Sequence, residues 1–272
     1  MVFRPHLRSL GRKPTRPLVS ALILGLALSV AALSQPAQAQ SGTIPDLGDA
    51  PASANNFGVA MQWHPASPFA ARYPTVFFAN NPSTGPKHWN SPVLYYLGNA
   101  NLGGTITCEP QSDMPPDCDG GVSNIDPPAN LADRDKGDDG PDWTSLGPIT
   151  GCTPKTFKYF VTVLPGAPSV GYINSWYDFN QNGRWGDVFT CGSLTIDEWI
   201  VKNQAIGTGA PGVYGFLTPS FNAAPNTSNH PRWARITLSE TSLPIASSYA
   251  RLGSGQINGW KLGETEDYRL PY

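Results

Sequence analysis

Oxygen-bearing side chains alternate over a short stretch in the second half of the chain. Three of them occupy every second position, a glycine follows, and another carboxylate comes four residues after that glycine. Hard cations such as Ca²⁺ are bound by carboxylate, amide and backbone oxygens from loops of this kind. We therefore predict a structural Ca²⁺ site whose ligands are Asp178, Asn180, Asn182, Asp187 and the backbone carbonyl of Arg184.

This loop is not an EF-hand, and a turn without metal is the alternative. The twelfth residue counted from Asp178 is Phe189, where an EF-hand carries a bidentate Glu. Asn, Gly and Asp are also common in turns that bind nothing. Asp139, Glu264 and Glu266 are further candidate ligands, provided that the last strand lies beside the strand at 172–179. A solvated acidic surface is the alternative for these acidic clusters.

The residue patterns of common enzymes are missing from the sequence. The chain contains no H-E-x-x-H, no G-x-S-x-G and no phosphate-binding glycine loop followed by Lys. A glycosidase needs two carboxylates about 5 to 10 Å apart, and sequence alone does not place the glutamates. We predict a protein without catalytic activity, with no catalytic residue assigned.

The first 39 residues have the three parts of a secretory signal peptide. A basic start precedes an apolar run over 18–33, and Ala37-Gln38-Ala39 supplies the small residues of a cleavage site. A membrane anchor is the alternative, but the run is short for a span of about 20 residues. We predict cleavage near Ala39 and release in soluble form into the medium or the periplasm, with no membrane association afterwards.

Composition excludes nucleic acid as a partner and favours a β-rich chain. Removing five of the 18 basic residues and none of the 20 acidic ones leaves 13 against 20, a net charge of −7. An acidic chain repels nucleic acid and attracts cations. Gly and Pro, at 28 each, disfavour long helices, while 40% hydrophobic residues and eight Trp argue against disorder.

Four cysteines remain after the predicted cleavage. An even number in an exported chain indicates two disulfides, for which three pairings exist. We favour Cys108–Cys118 and Cys152–Cys191, because the first two bracket one Pro-rich acidic loop.

The chain divides into two parts after the leader. Residues 40–150 are irregular and rich in Pro, Gly and Asp, whereas 151–272 contain alternating segments separated by turn residues. We expect strands at 157–164, 172–179, 198–206, 213–218, 233–238 and 266–270; a short helix would also fit 198–206. Short strands at this spacing predict an all-β fold, an antiparallel sandwich of the jelly-roll or Ig-like kind.

Five segments, in order along the chain, resemble the GEVED domain family. Gly263-Glu264-Thr265-Glu266-Asp267-Tyr268 is similar to its G-E-V-E-D-Y signature. The family's strand ending in W-x-D-x-N-x-D-G-x-W resembles 172–185, and its R-x-R-x-S strand resembles 232–239. Its D-x-G-D-A-P opening matches 46–51, and 137–140 is similar to part of its acidic middle.

The resemblance implies an extracellular β-sandwich module of bacterial surface and secreted proteins with no established catalytic activity. Bound calcium would be consistent with the family's acidic motifs. Asn182 stands where the family has a second Asp, which lowers the negative charge of the loop. The expected role is therefore binding, adhesion or surface structure, with a surface glycan or a protein as candidate partner.

Carbohydrate binding or glycan hydrolysis is the alternative function. Five Trp lie in loop-like stretches, and an exposed aromatic ring can stack on a sugar. Trp residues more often contribute area to a core. The five are Trp63, Trp89, Trp143, Trp185 and Trp260.

Overall fold

Strands form where apolar and polar residues alternate between turn residues. The computed structural model describes residues 46–48, 50–52, 71–77, 85–90, 93–102, 139–227 and 232–270. The described residues belong to one compact unit, Ala39–Tyr272. The strands are β1 Tyr95–Leu97, β2 Pro141–Asp142, β3 Thr153–Lys155, β4 Lys158–Val163, β5 Val170–Tyr177, β6 Val188–Cys191, β7 Leu194–Asp197, β8 Trp199–Gly207, β9 Gly212–Leu217, β10 Phe221–Ala223, β11 Arg232–Ser239 and β12 Gly263–Leu270.

Helical structure is sparse in the described part of the chain. It consists of the single-turn helix α1, Ser248–Arg251, and 3₁₀ turns at Ala100–Leu102 and Trp143–Leu146. No helix there has both the length and the apolar character that crossing a membrane requires.

Two antiparallel sheets dominate the fold. The central sheet has the order β12-β11-β5-β8, so β11 lies between the last strand and β5. In the second sheet, β4 pairs with β9 along one edge and with β1 and β2 along the other. Two ribbons, β10–β3 and β6–β7, complete the architecture. The prediction of an all-β, antiparallel, sandwich-like fold is confirmed.

A core of apolar side chains joins the two sheets. Alternate residues of β4, among them Val161, point into it and meet Ile173 of β5 and Ile236 of β11. A second buried cluster covers the opposite face of the central sheet, where Trp176 stacks on Trp199 at 5.7 Å. Both faces of this sheet are therefore covered, and all eight residues of β11 are buried.

The irregular N-terminal part contributes to this second cluster. Ala50, Ala71 and Tyr73 pack against the tryptophans of the central sheet. The Tyr73 ring lies 4.3 Å from that of Trp185. Short segments from before residue 100 therefore cover the sheet without forming strands over it.

One predicted disulfide is confirmed. Cys152 and Cys191 are bonded, which ties the residues before β3 to the end of β6. The predicted Cys108–Cys118 pair and the leader at 1–39 lie outside the described residues.

Candidate functional site

The predicted cation loop, 178–187, follows β5 and folds back on its first residue. Gln181 and Gly183 have positive φ angles of 57° and 80°, which turn the backbone sharply. The Asp178 carboxylate is fully buried and accepts N–H bonds from Asn182 at 3.2 Å and from Gly183 at 3.0 Å. The Tyr73 hydroxyl also donates to it. Burial raises the pKa of Asp178 to about 6, although these hydrogen bonds oppose the shift.

Asp187 closes the loop by accepting bonds from three side chains. The amide nitrogen of Asn180 lies 2.8 Å from it, and Asn182 and the Arg184 guanidinium also donate to it. Partial burial raises the pKa of Asp187, but the two amides and the Arg184 charge outweigh burial and leave this pKa below its ordinary value. Asn180, Asn182 and Asp187 thus meet through their side chains, whereas the Asp178 carboxylate bonds to backbone N–H groups and Arg184 approaches through its guanidinium.

Glu198 lies between β7 and β8 and bonds to the 178–187 loop, a contact that the sequence patterns did not predict. Its carboxylate is fully buried and accepts the backbone N–H groups of Asn180 at 3.2 Å and of Asp187 at 3.0 Å. Burial, and then the charge of Asp178, raise the pKa of Glu198 to about 9. The pairing of Trp176 with Trp199 brings this residue to the loop, so only knowledge of the β5–β8 register would have found it.

The three carboxylates of the loop approach it from different sides. Asp178 lies inside the bend, Glu198 bonds to the loop backbone from the position just before β8, and Asp187 faces the Asn amides. Among the residues that the structure describes, no three His, Cys, Asp or Glu side chains converge as a set of metal ligands. A cation bound here would need amide and backbone oxygens besides carboxylates.

The other predicted ligands lie in a separate cluster. Because β11 lies between β12 and β5, the last strand does not run beside the 172–179 strand, and the expected approach of its carboxylates to the loop is wrong. Glu266 instead accepts backbone N–H bonds from Asp139 and Gly140, both at 3.1 Å. Glu264 accepts the N–H of Leu97 at 2.8 Å.

Thr265 and Asp267, between and after these glutamates, also bond to the N-terminal part of the chain. We call the four residues 264–267 the acidic clasp. Thr265 donates its N–H to Asp46 at 2.8 Å, and its hydroxyl lies 2.9 Å from the ring of His88. Asp267 accepts the N–H of Ala50 at 2.8 Å and forms a fully buried ion pair with Arg235. The clasp residues therefore bond to the N-terminal segments around Asp46, His88, Leu97 and Gly140, and Thr265 and Asp267 share the first of these.

Burial controls the charge state of the clasp. Desolvation, reinforced by Asp139 and neighbouring carboxylates, raises the pKa of Glu264 and Glu266 well above the ordinary range. Desolvation has the opposite effect on a base, and it lowers the pKa of His88 to about 3. At neutral pH His88 is therefore uncharged, with its ring bonded to the Leu262 carbonyl and the Thr265 hydroxyl.

The loop tryptophans differ in exposure. Trp185 and Trp260 are buried, and Trp143 is half-buried against Phe157 at 4.6 Å. Trp89 is 42% exposed, with the Lys87 amine 3.9 Å from its ring. Trp63 lies outside the described residues. Of the four described rings, two contribute to the buried core.

Comparison with known proteins gave no relative for this chain. A scan against protein-family models, a search of curated proteins and a search of solved structures each found no significant match. The resemblance to the GEVED family therefore stays a prediction from the five sequence segments.

Proposed function

We propose that this chain is an exported, non-catalytic β-sandwich module of the GEVED type, stabilised by Ca²⁺ and acting in surface binding, adhesion or surface structure. One observation carries the proposal: the side chains of the acidic clasp point inward and bond the N-terminal segments. None of the four clasp residues is more than 2% exposed. A signature that is buried in this way holds the module together and does not face a ligand.

The other buried acids support the same interpretation. Catalytic acids and bases must come within hydrogen-bond reach of a substrate. Asp178 and Glu198 are fully buried, and both accept hydrogen bonds from backbone N–H groups of the 178–187 loop. Strongly shifted pKa values occur in structural networks as well as in active sites. Here the shifted groups are the ones that fix loops and segments in place.

The geometry around Asp187 supports calcium in the loop. Asn180 and Asn182 direct their amide nitrogens at this carboxylate, and rotation of an amide group exchanges its nitrogen and oxygen positions. After rotation, two amide oxygens and one carboxylate would face a common point, as a hard cation requires, while the N–H groups of Asn182 and Arg184 would lose the bonds that they now donate to these oxygens. The Arg184 guanidinium, which is half-exposed, would then move away from Asp187.

Thermal unfolding with and without Ca²⁺ tests the calcium part of the proposal. Because Ca²⁺ would bind the folded state only, the melting temperature should rise with its concentration, by about 2.7 kcal/mol of stability at 100 times the dissociation constant. Asp187→Asn should abolish the response. Asp142→Asn is the matched control, because Asp142 lies in β2 and bonds to Thr144. An unchanged melting curve at millimolar Ca²⁺ would reject the site.

A further inference from the structure

The hydrogen bonds of β4 determine which backbone groups of β9 point outward. Thr218 donates to Phe157 at 3.0 Å, next to the β4–β9 ladder. On the opposite edge of β4, Phe160 accepts from Gly98 at 3.0 Å and donates to Gly140 at 2.8 Å. Odd-numbered β4 residues therefore bond to even-numbered residues of β9, since hydrogen-bonded pairs alternate along an antiparallel ladder.

The outward N–H and C=O groups of β9 belong to its three odd-numbered residues, Val213, Gly215 and Leu217. Leu217 is 53% exposed, Gly215 is exposed and Val213 is half-buried. In the described part of the chain, the partner of these groups is the Gln204 amide, which donates to the Leu217 carbonyl at 2.9 Å. Within the described ranges, no strand pairs with β9 on this outer edge.

The features that normally protect a sheet edge are missing within β9. Natural edge strands carry charged residues, prolines or bulges that prevent pairing with another chain. The strand reads Gly-Val-Tyr-Gly-Phe-Leu, without a charge, and its register with β4 is unbroken. The strand itself contains no proline, and Pro211 and Pro219 lie just outside its two ends. The outer edge of β9 could therefore pair with another strand between these two prolines.

The residue pattern is symmetric about Gly215. In an antiparallel pair of β9 strands centred there, Val213 lies opposite Leu217 of the second copy, and Tyr214 lies opposite Phe216. The two prolines lie opposite each other at the ends, where no further ladder bond can form. Aliphatic side chains meet on the exposed face and aromatic ones on the other, and both are favourable cross-strand pairs.

We propose that β9 is a self-association edge through which two copies of this chain form a dimer, with the two-fold axis at Gly215. The second sheets of the two copies then become one continuous antiparallel sheet, and the exposed Leu217 is covered. A second copy fits this edge better than an unrelated peptide, because each aliphatic residue of β9 then lies opposite an aliphatic residue and each aromatic residue opposite an aromatic one. A six-residue strand pair buries little area, so the dimer forms reversibly at high protein concentration.

A charge-swap experiment tests the dimer and its register. Val213→Lys with Leu217→Lys places lysines opposite lysines, and the corresponding double Glu variant places acids opposite acids. Gly215 is left unchanged, because a side chain there would lie 3.3 Å from the Phe160 ring. Sedimentation equilibrium of the purified protein should show that each variant alone dimerises at least about tenfold more weakly than the unchanged chain. An equimolar mixture of the two should recover the dimer.

Two controls make the result specific. Val188→Lys with Ile245→Lys adds the same charge at exposed apolar residues elsewhere, and should dimerise normally. Leu217→Lys alone changes a residue of β9 that is 53% exposed, and replaces the double lysine variant if that variant fails to fold. The proposal is overturned if the unchanged protein stays monomeric up to millimolar concentration. It is also overturned if the lysine variant dimerises normally, or if the mixture does not recover the dimer.

Discussion

Arg235 shows at the level of one side chain how this molecule tolerates a buried charge. Its guanidinium is fully buried and bonds to Asp267, to the carbonyl of Pro74 at 2.6 Å and to that of Gly253 at 2.9 Å. It also lies 4.7 Å from the ring of Trp185. A buried ion is acceptable when it is paired and its hydrogen bonds are satisfied, and both conditions hold here.

Removing the partner of this ion should be costly. Asp267→Ala leaves the Arg235 charge buried and the Ala50 N–H without its acceptor, so we expect a loss of about 3–5 kcal/mol in the free energy of unfolding. Urea unfolding measures this loss. Lys202→Ala is the control, because it breaks the partly exposed Lys202–Asp197 pair and should cost at most about 1 kcal/mol. Equal losses in the two variants would contradict the structural role of Asp267.

Local spacing in the sequence predicted the residues of the 178–187 loop. Glu198, which it did not predict, reaches the loop through pairing between distant strands. Asn180, Asn182 and Asp187 meet, and Asp178 lies inside the same bend, because the four are close in sequence and a glycine allows the bend. Glu198 reaches the same loop only through the β5–β8 register, which no local pattern encodes.

At the level of elements, alternation of residue types located several strands of both main sheets. The expected segments 157–164, 172–179, 213–218 and 233–238 correspond to β4, β5, β9 and β11. β12 is different, because it begins at Gly263 and the clasp residues within it are buried although their sequence is acidic. Such a run normally indicates a solvated surface. Its burial depends on donors from distant segments, so the sequence pattern could not show it.

The clasp predicts a contrast between two substitutions at Glu266. Glu266→Ala removes the acceptor of the Asp139 and Gly140 N–H groups and of the Tyr268 hydroxyl, so stability should fall by about 2–4 kcal/mol. Glu266→Gln retains an oxygen acceptor and cannot ionise beside Glu264, so it should cost much less. Chemical denaturation gives the loss, and amide hydrogen exchange at Gly140 should quicken in the Ala variant. Equal stability of the two variants would show that the acceptor is not needed.

At the level of the whole molecule, the disulfide is of the kind expected for the predicted export. Cys152–Cys191 is the type of bond that persists in oxidising compartments. If the leader is cleaved after Ala39, the exported protein begins at Gln40. Mass spectrometry of the protein from the medium or the periplasm should give this N-terminus. An uncleaved chain in the membrane fraction would instead identify the apolar run as an anchor.

The clasp also sets an order of events during synthesis. The segments around Asp46, Leu97 and Gly140 obtain their buried acceptors or donors from β12, which follows them by more than a hundred residues. These segments cannot adopt their final packing until Gly263–Leu270 has been made, because their polar groups would otherwise lose water without gaining a hydrogen-bond partner. The chain should therefore stay loosely structured while it is being synthesised, and fold rapidly once its final strand has been made.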